Sequence, residues 1–296
     1  MKTDVFQNDA LIGKSILVTG GGSGLGKEIG KALCRKGAVL HICGRRAAVL
    51  DAAAAEMNAE GLRVHTHICD IRDADQVESM METIWAVGPL TGVVNNAAAN
   101  FIAQSKDLSP RGYRAVTSTV MDGSFFITLA AGKRWIAQGI RGSVVSNLVT
   151  WVWTGSPYAL PSAMSKSALH AMTMSLAVEW GKYGIRLNAT APGPFPTDSA
   201  WERLNPNDET RSSVTSSDQV PMGRFGRMEE LQNLVVFLLS DACEYLTGQT
   251  IAIDGGQHLA GPGTFADLGR LTDEQWTAAR DTLRKTVEKE KAQRSV

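Results

Sequence analysis

The stretch SILVTGGGSGLG, residues 15–26, decides the fold class of this chain. It starts with a short, mostly apolar run that contains β-branched side chains, which is typical of a buried strand. After the glycine-rich loop, Leu25, Ile29 and Leu33 recur at helical spacing. In this order of strand, loop and helix, glycines let backbone amides approach a pyrophosphate at the positive N-terminus of the helix. A tight turn without a ligand is the alternative, but such a turn needs fewer glycines.

Strand patterns alternate with helix patterns along the rest of the chain. Further strands are predicted at residues 39–43, 92–94, 143–146, 185–189 and 249–254 and in a run ending at 68, and helices at 110–138, with a slightly irregular middle, 161–183 and 229–239. This alternation predicts an α/β fold, a Rossmann-type doubly wound parallel sheet of about seven strands with helices on both faces. We expect one domain over residues 1–296, with any ligand at the carboxyl ends of the strands.

Two regions lie outside this alternation. Residues 197–220 are polar, with a small apolar anchor at Trp201 and Leu204, and we predict that they form a lid over a substrate. Residues 257–296 form a C-terminal tail, in which Thr272-Asp273-Glu274-Gln275 has the pattern of a capping box. The tail is therefore expected to contain one more helix.

Composition and the chain ends argue against several classes of partner. The chain has 296 residues, of which 44% are hydrophobic and 20% charged, and 30 basic side chains balance 30 acidic ones. A net charge of zero gives no support to nucleic acid or an anionic membrane as a partner. No apolar run is expected to span a membrane, and neither end resembles a signal peptide or a peroxisomal address. The expected location is cytoplasmic.

Cysteine and histidine spacing predicts no metal site. The four cysteines show no paired spacing, which favours reduced, buried thiols over disulfides. The five histidines form no His-Glu-x-x-His motif. His65 and His67 share a strand face, but two histidines without a third ligand are weak support for zinc.

Two arginines that follow the second strand bear on the choice of cofactor. An acidic residue here would bind the free 2′-hydroxyl of NAD, whereas Arg45 and Arg46 suit a 2′-phosphate, so NADP(H) is predicted. Asp70 follows the third strand, where it is placed to meet adenine. The alternative interpretation is two solvated arginines in a loop.

Ser162 and Lys166 are four residues apart at the start of a predicted helix. Pro161 precedes them at a position where helices begin, so the two side chains lie on one helix face. A lysine fixed in this way can hold a ribose or an oxyanion. The serine hydroxyl is a poor acid, so this pair lacks the proton donor that ketone reduction needs.

Four motifs together resemble one superfamily. They are residues 19–26, Asn95-Asn96-Ala97-Ala98, Lys166 on its helix and Pro192-Gly193-Pro194. In this order they resemble the short-chain dehydrogenase/reductases over nearly the whole chain. Each motif alone is modest, whereas the four in order are very specific. The resemblance also implies a homotetramer.

The serine narrows the resemblance to a subfamily. In the superfamily a catalytic tyrosine normally stands four residues before the lysine, and here that position is Ser162. The pattern Pro161-Ser162-Ala163-x-x-Lys166 is similar to that of the 2,4-dienoyl-CoA reductases, particularly the mitochondrial type. Further stretches that match are residues 100–102, 108–110, 178–184, 203–204 and 273–276. The implied function is NADPH-dependent reduction of a conjugated acyl-CoA thioester in the β-oxidation of unsaturated fatty acids.

The resemblance implies roles for matching positions near the reaction. Lys166 would hold the nicotinamide ribose, with Ser162 as its buried hydrogen-bonding neighbour, and Asn100 would bind the thioester oxygen. A helix-start role is the alternative for Ser162. The cofactor would contact Thr19, Gly20, Gly22, Ser23, Gly24, Leu25, Gly26, Arg45, Arg46, Asp70, Ile71, Asn96, Ala97, Lys166, Pro192, Gly193 and Phe195.

The resemblance also implies a site for the acyl-CoA. Phe101 and Ser109 would line the acyl and CoA site, and Arg72 and Arg203 would meet CoA phosphates. The alternatives are a core position for Phe101 and a solvated surface position for each arginine.

One position departs from the subfamily and bears on the chemistry. Trp151 stands where the subfamily has its active-site tyrosine, and Tyr158 is out of register. Ketone reduction needs a proton donor at the new alkoxide. Reduction of a conjugated thioester instead makes an extended enolate, which needs hydrogen-bond donors and can take its proton from water. Asn100 and the donor-only indole of Trp151 suit that enolate.

Two alternatives to this function stay open. One is an alcohol or ketone dehydrogenase that uses Tyr158 as its acid. The other is a nucleotide-binding protein that kept the fold and lost the chemistry. The intact Lys166 and the full glycine loop argue against the second alternative.

Overall fold

The computed structural model describes residues 6–196, 217–261, 272–275 and 277–278. Its strands form one parallel sheet in the order β3-β2-β1-β4-β5-β6-β7. They are β1 (Ser15–Thr19), β2 (Val39–Gly44), β3 (Val64–Ile68), β4 (Gly92–Asn95), β5 (Ser143–Asn147), β6 (Arg186–Pro192) and β7 (Thr250–Ile253). The strand order reverses between β1 and β4, which opens a crevice at the carboxyl ends of the strands. The predicted doubly wound α/β fold is confirmed.

Helices cover both faces of this sheet. One face carries α1 (Gly24–Arg35), α2 (Ala47–Ala59) and α8 (Met228–Leu239), and the other carries α3 (Ala74–Val87), α5 (Gly123–Gln138) and α7 (Leu160–Trp180). The shorter helices are α4 (Pro110–Thr117), α6 (Trp151–Thr154) and α9 (Gln257–Ala260), and 3₁₀ turns span Ser105–Asp107, Gly181–Tyr183, Ser217–Gln219 and Asp241–Cys243.

Alternate side chains of the central strands enter two separate core layers. In β1, Ile16 and Val18 pack on the side of α1, α2 and α8, whereas Leu17 packs on the side of α3, α5 and α7. All three side chains are at most 1% exposed. A parallel strand that is covered on both faces is apolar along its whole length. This is why the strand was readable from the sequence.

The long helix predicted at 110–138 is present and is irregular in its middle, as expected. A π-helical turn, Ser118–Asp122, joins α4 to α5. The hydroxyls of Ser118 and Thr119 donate to carbonyls four residues earlier, at 2.5 and 3.1 Å. The whole stretch Pro110–Gln138 is long and apolar enough to cross a membrane, but 56% of its most apolar window is buried. Its side chains pack on the sheet, as in a core helix of a soluble fold.

The predicted boundaries hold with small shifts at the helix and strand ends. The helix predicted at 161–183 is α-helical to Trp180 and ends in a 3₁₀ turn, and Gly184 follows in the left-handed region at φ 72°. In the tail, Thr272 and Gln275 exchange the two bonds of the predicted capping box, at 2.8 and 3.3 Å. Most of the predicted lid at 197–220, with Trp201, Arg203 and Leu204, lies outside the described residues.

Candidate active site

Thr19 joins the ends of β1 and β4 at the centre of the crevice. Its hydroxyl donates to the carbonyl of Val94 at 3.3 Å and accepts the backbone N–H groups of Asn96 and Ala97 at 3.0 and 2.9 Å. The side chain is fully buried. Thr19, predicted as a cofactor contact, therefore positions the loop of Asn96 and Ala97 with its side chain.

The glycine loop leaves room for a ligand at the start of α1. Gly20 and Gly24 adopt φ angles of 65° and 53°, which favour glycine. A Cβ on Gly26 would overlap the Asn96 amide and the Gly20 carbonyl. The Ser23 side chain does not cap α1, and the first turn carries no acidic residue. The first N–H groups of α1 are therefore free to bind a pyrophosphate, so this loop fits a dinucleotide.

Leu25 and Gly22 contribute to packing around this loop. Leu25 packs partly buried against the core. A Cβ on Gly22 would lie 3.1 Å from Val49 of α2, so glycine allows the loop to approach that helix closely. Leu25 and Gly22 therefore contribute to packing, and their contact with the cofactor stays a prediction.

Charged side chains collect at the ends of β2 and β3. Arg45 and Arg46 are exposed just after β2. Arg72 binds the Asp70 carboxylate through two nitrogens, with the shortest contact at 2.5 Å. Hydrogen bonding to Arg72 lowers the pKa of Asp70, and the positive charge of Arg45 adds to the shift. Arg72 is thus held by Asp70, and the expected contact with CoA phosphates requires that ion pair to open or to share its donors.

Ile71 and Phe195 place their side chains in the core rather than in the crevice. Ile71 packs against Gly123, where a Cβ would lie 2.6 Å from the isoleucine side chain. Phe195 is buried against Gly226 in the layer of α1, α2 and α8. Each of these two predicted cofactor contacts can offer only its backbone. Gly193 bonds through its N–H to the Ile253 carbonyl at 3.0 Å, which fixes the loop after β6 against β7.

Lys166 is a buried cation on α7 beside the end of β5. Its ammonium donates to the backbone carbonyl of Asn147. Burial lowers the pKa of this ammonium to about 8. No carboxylate faces it within the described ranges, so the site retains a strong preference for an anionic or hydroxyl-rich ligand.

Ser162 is buried one helical turn before Lys166, as predicted. The predicted hydrogen bond between the two side chains is not formed in the described structure, and this expectation is corrected. The lysine amine reaches past the serine to the strand end, where the Asn147 carbonyl accepts it. The serine hydroxyl therefore remains available to a ligand or to water.

A chain of side-chain amides connects four strand ends beneath Lys166. Asn96 donates to the Thr19 carbonyl at 3.0 Å and accepts from the Asn147 amide at 3.1 Å. Asn147 in turn accepts from the Thr190 hydroxyl at 3.2 Å. Because Asn147 also holds the lysine through its carbonyl, the ends of β1, β4, β5 and β6 fix the position of the ammonium. Sequence reasoning missed Asn147 and Thr190, whose only signal is that each is polar near the end of a strand.

A third apolar cluster brings the predicted substrate residues together. Phe101 and Val152 pack on a buried core of Val116, Val120, Leu148, Leu169 and Ala189. This core belongs to α4, the π turn, α7 and the ends of β5 and β6. It therefore joins the Asn100-Phe101 loop to α6, which carries Trp151. Phe101 combines its predicted lining role with a core contact.

Donor groups on these two segments lack partners among the described residues. The Asn100 side-chain oxygen accepts the Phe101 N–H at 2.9 Å, which leaves its NH₂ group free. The Trp151 indole N–H, on a half-buried side chain, also donates to no described residue. Both groups are available as donors to a substrate oxygen.

Tyr158 and Ser109 each make a contact that stabilises the local fold. Tyr158 is 57% exposed, with its backbone in the left-handed region at φ 63°, and its carbonyl accepts the Ala103 N–H at 2.9 Å. It makes no hydrogen bond with Lys166 in the described structure. The Ser109 hydroxyl caps α4 by accepting the Gly112 N–H at 3.1 Å. Neither geometry by itself indicates contact with a substrate.

Within the part of the chain that the structure describes, cysteine, histidine and acidic side chains form no second candidate centre. The four cysteines are buried and unpaired, as predicted. Among the described residues, no group of three His, Cys, Asp or Glu side chains is arranged to hold a metal ion.

A family model described as enoyl-(acyl carrier protein) reductase matches residues 20–258. The chain belongs to the short-chain dehydrogenase/reductase superfamily. It is accordingly an oxidoreductase of a superfamily that binds nicotinamide cofactors.

Curated relatives within this superfamily differ in activity. A probable 2,4-dienoyl-CoA reductase of Caenorhabditis elegans, labelled (3E)-enoyl-CoA-producing, is 37% identical over 98% of this chain and 96% of the relative. A probable 2,4-dienoyl-CoA reductase of Bacillus subtilis, labelled (2E)-enoyl-CoA-producing, is 37% identical over 83% of this chain and 97% of the relative. A gluconate 5-dehydrogenase of Gluconobacter oxydans is 33% identical over 83% of this chain and 95% of the relative.

Solved superfamily structures share the fold. A short-chain dehydrogenase of Bacillus anthracis is 38% identical with a TM-score of 0.74, and covers 83% of this chain and 96% of its own. A gluconate 5-dehydrogenase of Burkholderia cenocepacia, solved with NADP and tartrate, is 28% identical with a TM-score of 0.78, and covers 84% of this chain and 97% of its own.

Proposed function

We propose that this chain is an NADPH-dependent reductase of a conjugated acyl-CoA thioester, similar to the 2,4-dienoyl-CoA reductases. The observation that carries the proposal is the set of donors on α7 and on the two segments that pack with it. Ser162 stands in the position of the usual acid, while Asn100 and Trp151 present free donors on segments that share one apolar cluster with α7. The set lacks an acid for an alkoxide and has donors for an enolate.

Each part of the proposed site has its own role in the reduction. When bound, NADPH supplies a hydride to the far end of the conjugated system. The displaced electron pair moves onto the thioester oxygen, and a solvent proton then completes the reduction. Asn100 and Trp151 would stabilise the oxygen anion by donation, and removing one such donor typically costs about 3–4 kcal/mol. Lys166 would hold the nicotinamide ribose.

We further propose NADP(H) rather than NAD as the cofactor. Arg45 and Arg46 are exposed at the end of β2, where NAD would require an acidic side chain. Asp70, whose pKa the charge of Arg45 helps to lower, is already paired with Arg72. The uncapped start of α1 supports binding of the pyrophosphate.

The assembly that we propose is a homotetramer. The outer faces of α5 and α7 carry exposed apolar side chains, among them Phe125, Met174 and Val178. Val178 is 85% exposed. Large apolar side chains exposed on two helices of one face are the observation that supports a surface covered by another subunit.

A ketone dehydrogenase is the second candidate, favoured by the likeness to gluconate 5-dehydrogenase. It would need a proton donor near Lys166. Tyr158 is the nearby tyrosine in sequence, and its exposure and left-handed backbone argue against that role.

A panel of NADPH oxidation assays tests the proposal. The purified protein is given a 2,4-dienoyl-CoA, a 2-enoyl-CoA, gluconate-type ketones and simple ketones, with NADPH or NADH. We expect turnover of the dienoyl-CoA with NADPH, and we expect Arg45→Asp to erase the preference over NADH. Turnover of ketones alone would support the second candidate, and binding of NADPH without any turnover would support loss of the chemistry.

A further inference from the structure

A buried carboxylate and an imidazole form a pair at the end of β7 that the reaction described above does not use. Asp254 is buried and accepts three hydrogen bonds, from the Gly256 N–H at 3.0 Å, the His258 N–H at 2.8 Å and the His258 ring Nδ1 at 2.7 Å. A carboxylate only accepts, so Nδ1 carries the proton in this pair. The pair therefore fixes the plane and the tautomer of the imidazole.

The oriented imidazole lies on a tryptophan of α6. The His258 and Trp153 rings have centroids 5.0 Å apart and an interplanar angle of 32°. His170, held on α7 through a 2.8 Å contact with Thr250, meets the same indole edge-on at 6.2 Å. Aromatic pairs at these distances are attractive beyond the area that they bury.

Asp254 packs against Gly193, which is one of the predicted cofactor contacts. A Cβ on Gly193 would lie 2.6 Å from Cβ of Asp254, so the two backbones are in direct contact. The chain of contacts thus runs from Gly193 through Asp254 and His258 to Trp153. It connects the strand ends of the proposed cofactor site with the helix that carries Trp151.

Helix geometry links the contacts of Val152 and Trp153 to the direction of the Trp151 side chain. Successive helical residues point about 100° apart, because 3.6 residues complete a turn. In α6, Val152 packs on the apolar cluster shared with α7, and Trp153 packs on His258. With two of three successive directions fixed, the direction in which the Trp151 side chain leaves the helix is fixed as well.

We propose that His258 is a positioning residue: oriented by Asp254, its ring holds Trp153 and thereby sets the direction of the Trp151 indole. The consequence for turnover rests on the function proposed above, whereas the ordering of α6 does not. Without this contact, α6 keeps only the Val152 anchor and the edge-on contact of Trp153 with His170, and its short backbone opens more often.

Hydrogen exchange of the amides of residues 151–155 tests the proposal in the full-length protein. His258→Asn retains a donor to Asp254 and removes the ring, and we expect exchange in α6 to be at least about tenfold faster than in the parent. His258→Phe retains the ring, and its exchange should lie closer to that of the parent. Amides of β1 give an internal reference for global stability, and His65→Asn, which removes an exposed histidine on β3, is the matched control.

Steady-state kinetics provide a second measurement, in which kcat and NADPH affinity are compared. His258→Asn should lower kcat for the dienoyl-CoA and leave NADPH affinity unchanged, because the cofactor site is intact. Unchanged exchange in His258→Asn, or equally fast exchange in His258→Phe, would overturn the positioning role. If the parent reduces no dienoyl-CoA, the proposed function fails, and the exchange data still decide whether His258 orders α6.

Discussion

Lys166 is a buried ammonium, and burial disfavours its charged form. Its ammonium has one backbone carbonyl as an acceptor, and burial lowers its pKa to about 8. In the unfolded chain the same group titrates near its ordinary value of 10.5. The folded protein without ligand therefore bears a desolvation cost at neutral pH, which a bound cofactor can offset by giving the ammonium hydroxyl or phosphate partners.

The pH dependence of stability should reveal this cost. Between pH 8 and 10.5 the unfolded chain holds the lysine proton and the folded chain releases it, so stability rises with pH. We expect the free energy of unfolding of the parent, relative to Lys166→Met, to rise by about 1–3 kcal/mol across this window. Denaturant titrations of both proteins at several pH values measure the difference.

A lysine on α1 is the matched control for this experiment. Lys31 is also buried, but hydrogen bonding to Glu56 raises its pKa. Its proton is therefore retained in both states below pH 10.5, so the difference in unfolding free energy between the parent and Lys31→Met should not rise in the same window. A flat difference between the parent and Lys166→Met would contradict the buried, unpaired state of Lys166.

Trp151 is one of the two side-chain donors that the proposed reaction uses for the thioester oxygen. If its indole donates to the thioester oxygen, Trp151→Phe should lower turnover of a dienoyl-CoA by about 10²–10³-fold. NADPH binding should change little. Trp151→Tyr restores a donor and should keep or raise activity. Single-turnover rates and NADPH titrations measure both quantities.

Trp85→Phe serves as a matched control for these variants. Trp85 also uses its indole N–H, which donates to Gln138 at 3.1 Å on α5. Its loss should leave turnover unchanged. An inactive parent together with an active Trp151→Tyr variant would mean that tryptophan blocks the reaction instead of supporting it.

At the scale of elements, strands β2 and β3 place three imidazoles together. His41 of β2 stacks with His65 and His67 of β3 at centroid distances of 4.9 and 5.2 Å. Burial, and then the neighbouring histidines, lower the pKa of His41 to about 3. Burial also lowers the pKa of His67. His41 and His67 therefore remain neutral in the folded chain under conditions in which free imidazoles are protonated.

This cluster should make the chain sensitive to mild acid. The unfolded His41 titrates near 6.5, so between pH 6.5 and about 3 the unfolded state binds more protons and stability falls as the pH falls. At about pH 5 the loss from His41 amounts to about 2 kcal/mol. Denaturant titrations between pH 7 and 5 should show this loss in the parent and a smaller one in His41→Leu. Equal losses in both proteins would contradict a neutral His41.

The sequence was informative where structure depends on neighbours along the chain. The alternation of strands and helices and the loop before α1 follow from local periodicity, so the fold and the position of Lys166 were predictable. His41 shows the limit, because only the register of β2 with β3 brings it to His65 and His67. Local patterns do not report that register.

The same limit applies within the candidate site. Lys166 was expected to bond to Ser162, one turn away on its own helix. It bonds instead to Asn147, which is distant in sequence and near in space because β5 ends beside α7. The contact of His258 with Trp153 likewise depends on the juxtaposition of β7 and α6.

At the scale of the whole molecule, the exposed apolar side chains on α5 and α7 are the basis of the proposed homotetramer. Val178, at 85% exposed, tests this because it contributes little to the core of its own chain. We expect light scattering to give the mass of four chains for the parent at micromolar concentration. Val178→Glu should retain the helical circular dichroism and dissociate. A monomeric parent would contradict the proposed homotetramer.

The most direct test of the central claim follows hydrogen isotopes through a single turnover of a 2,4-dienoyl-CoA. NADPH labelled with deuterium at the transferable position is mixed with enzyme and substrate, and the product is analysed by mass spectrometry and NMR. The account predicts one deuterium at the far end of the former diene, and one hydrogen from solvent nearer the thioester. A dienoyl-CoA that is recovered unchanged, while the same enzyme oxidises NADPH with a ketone, would contradict it.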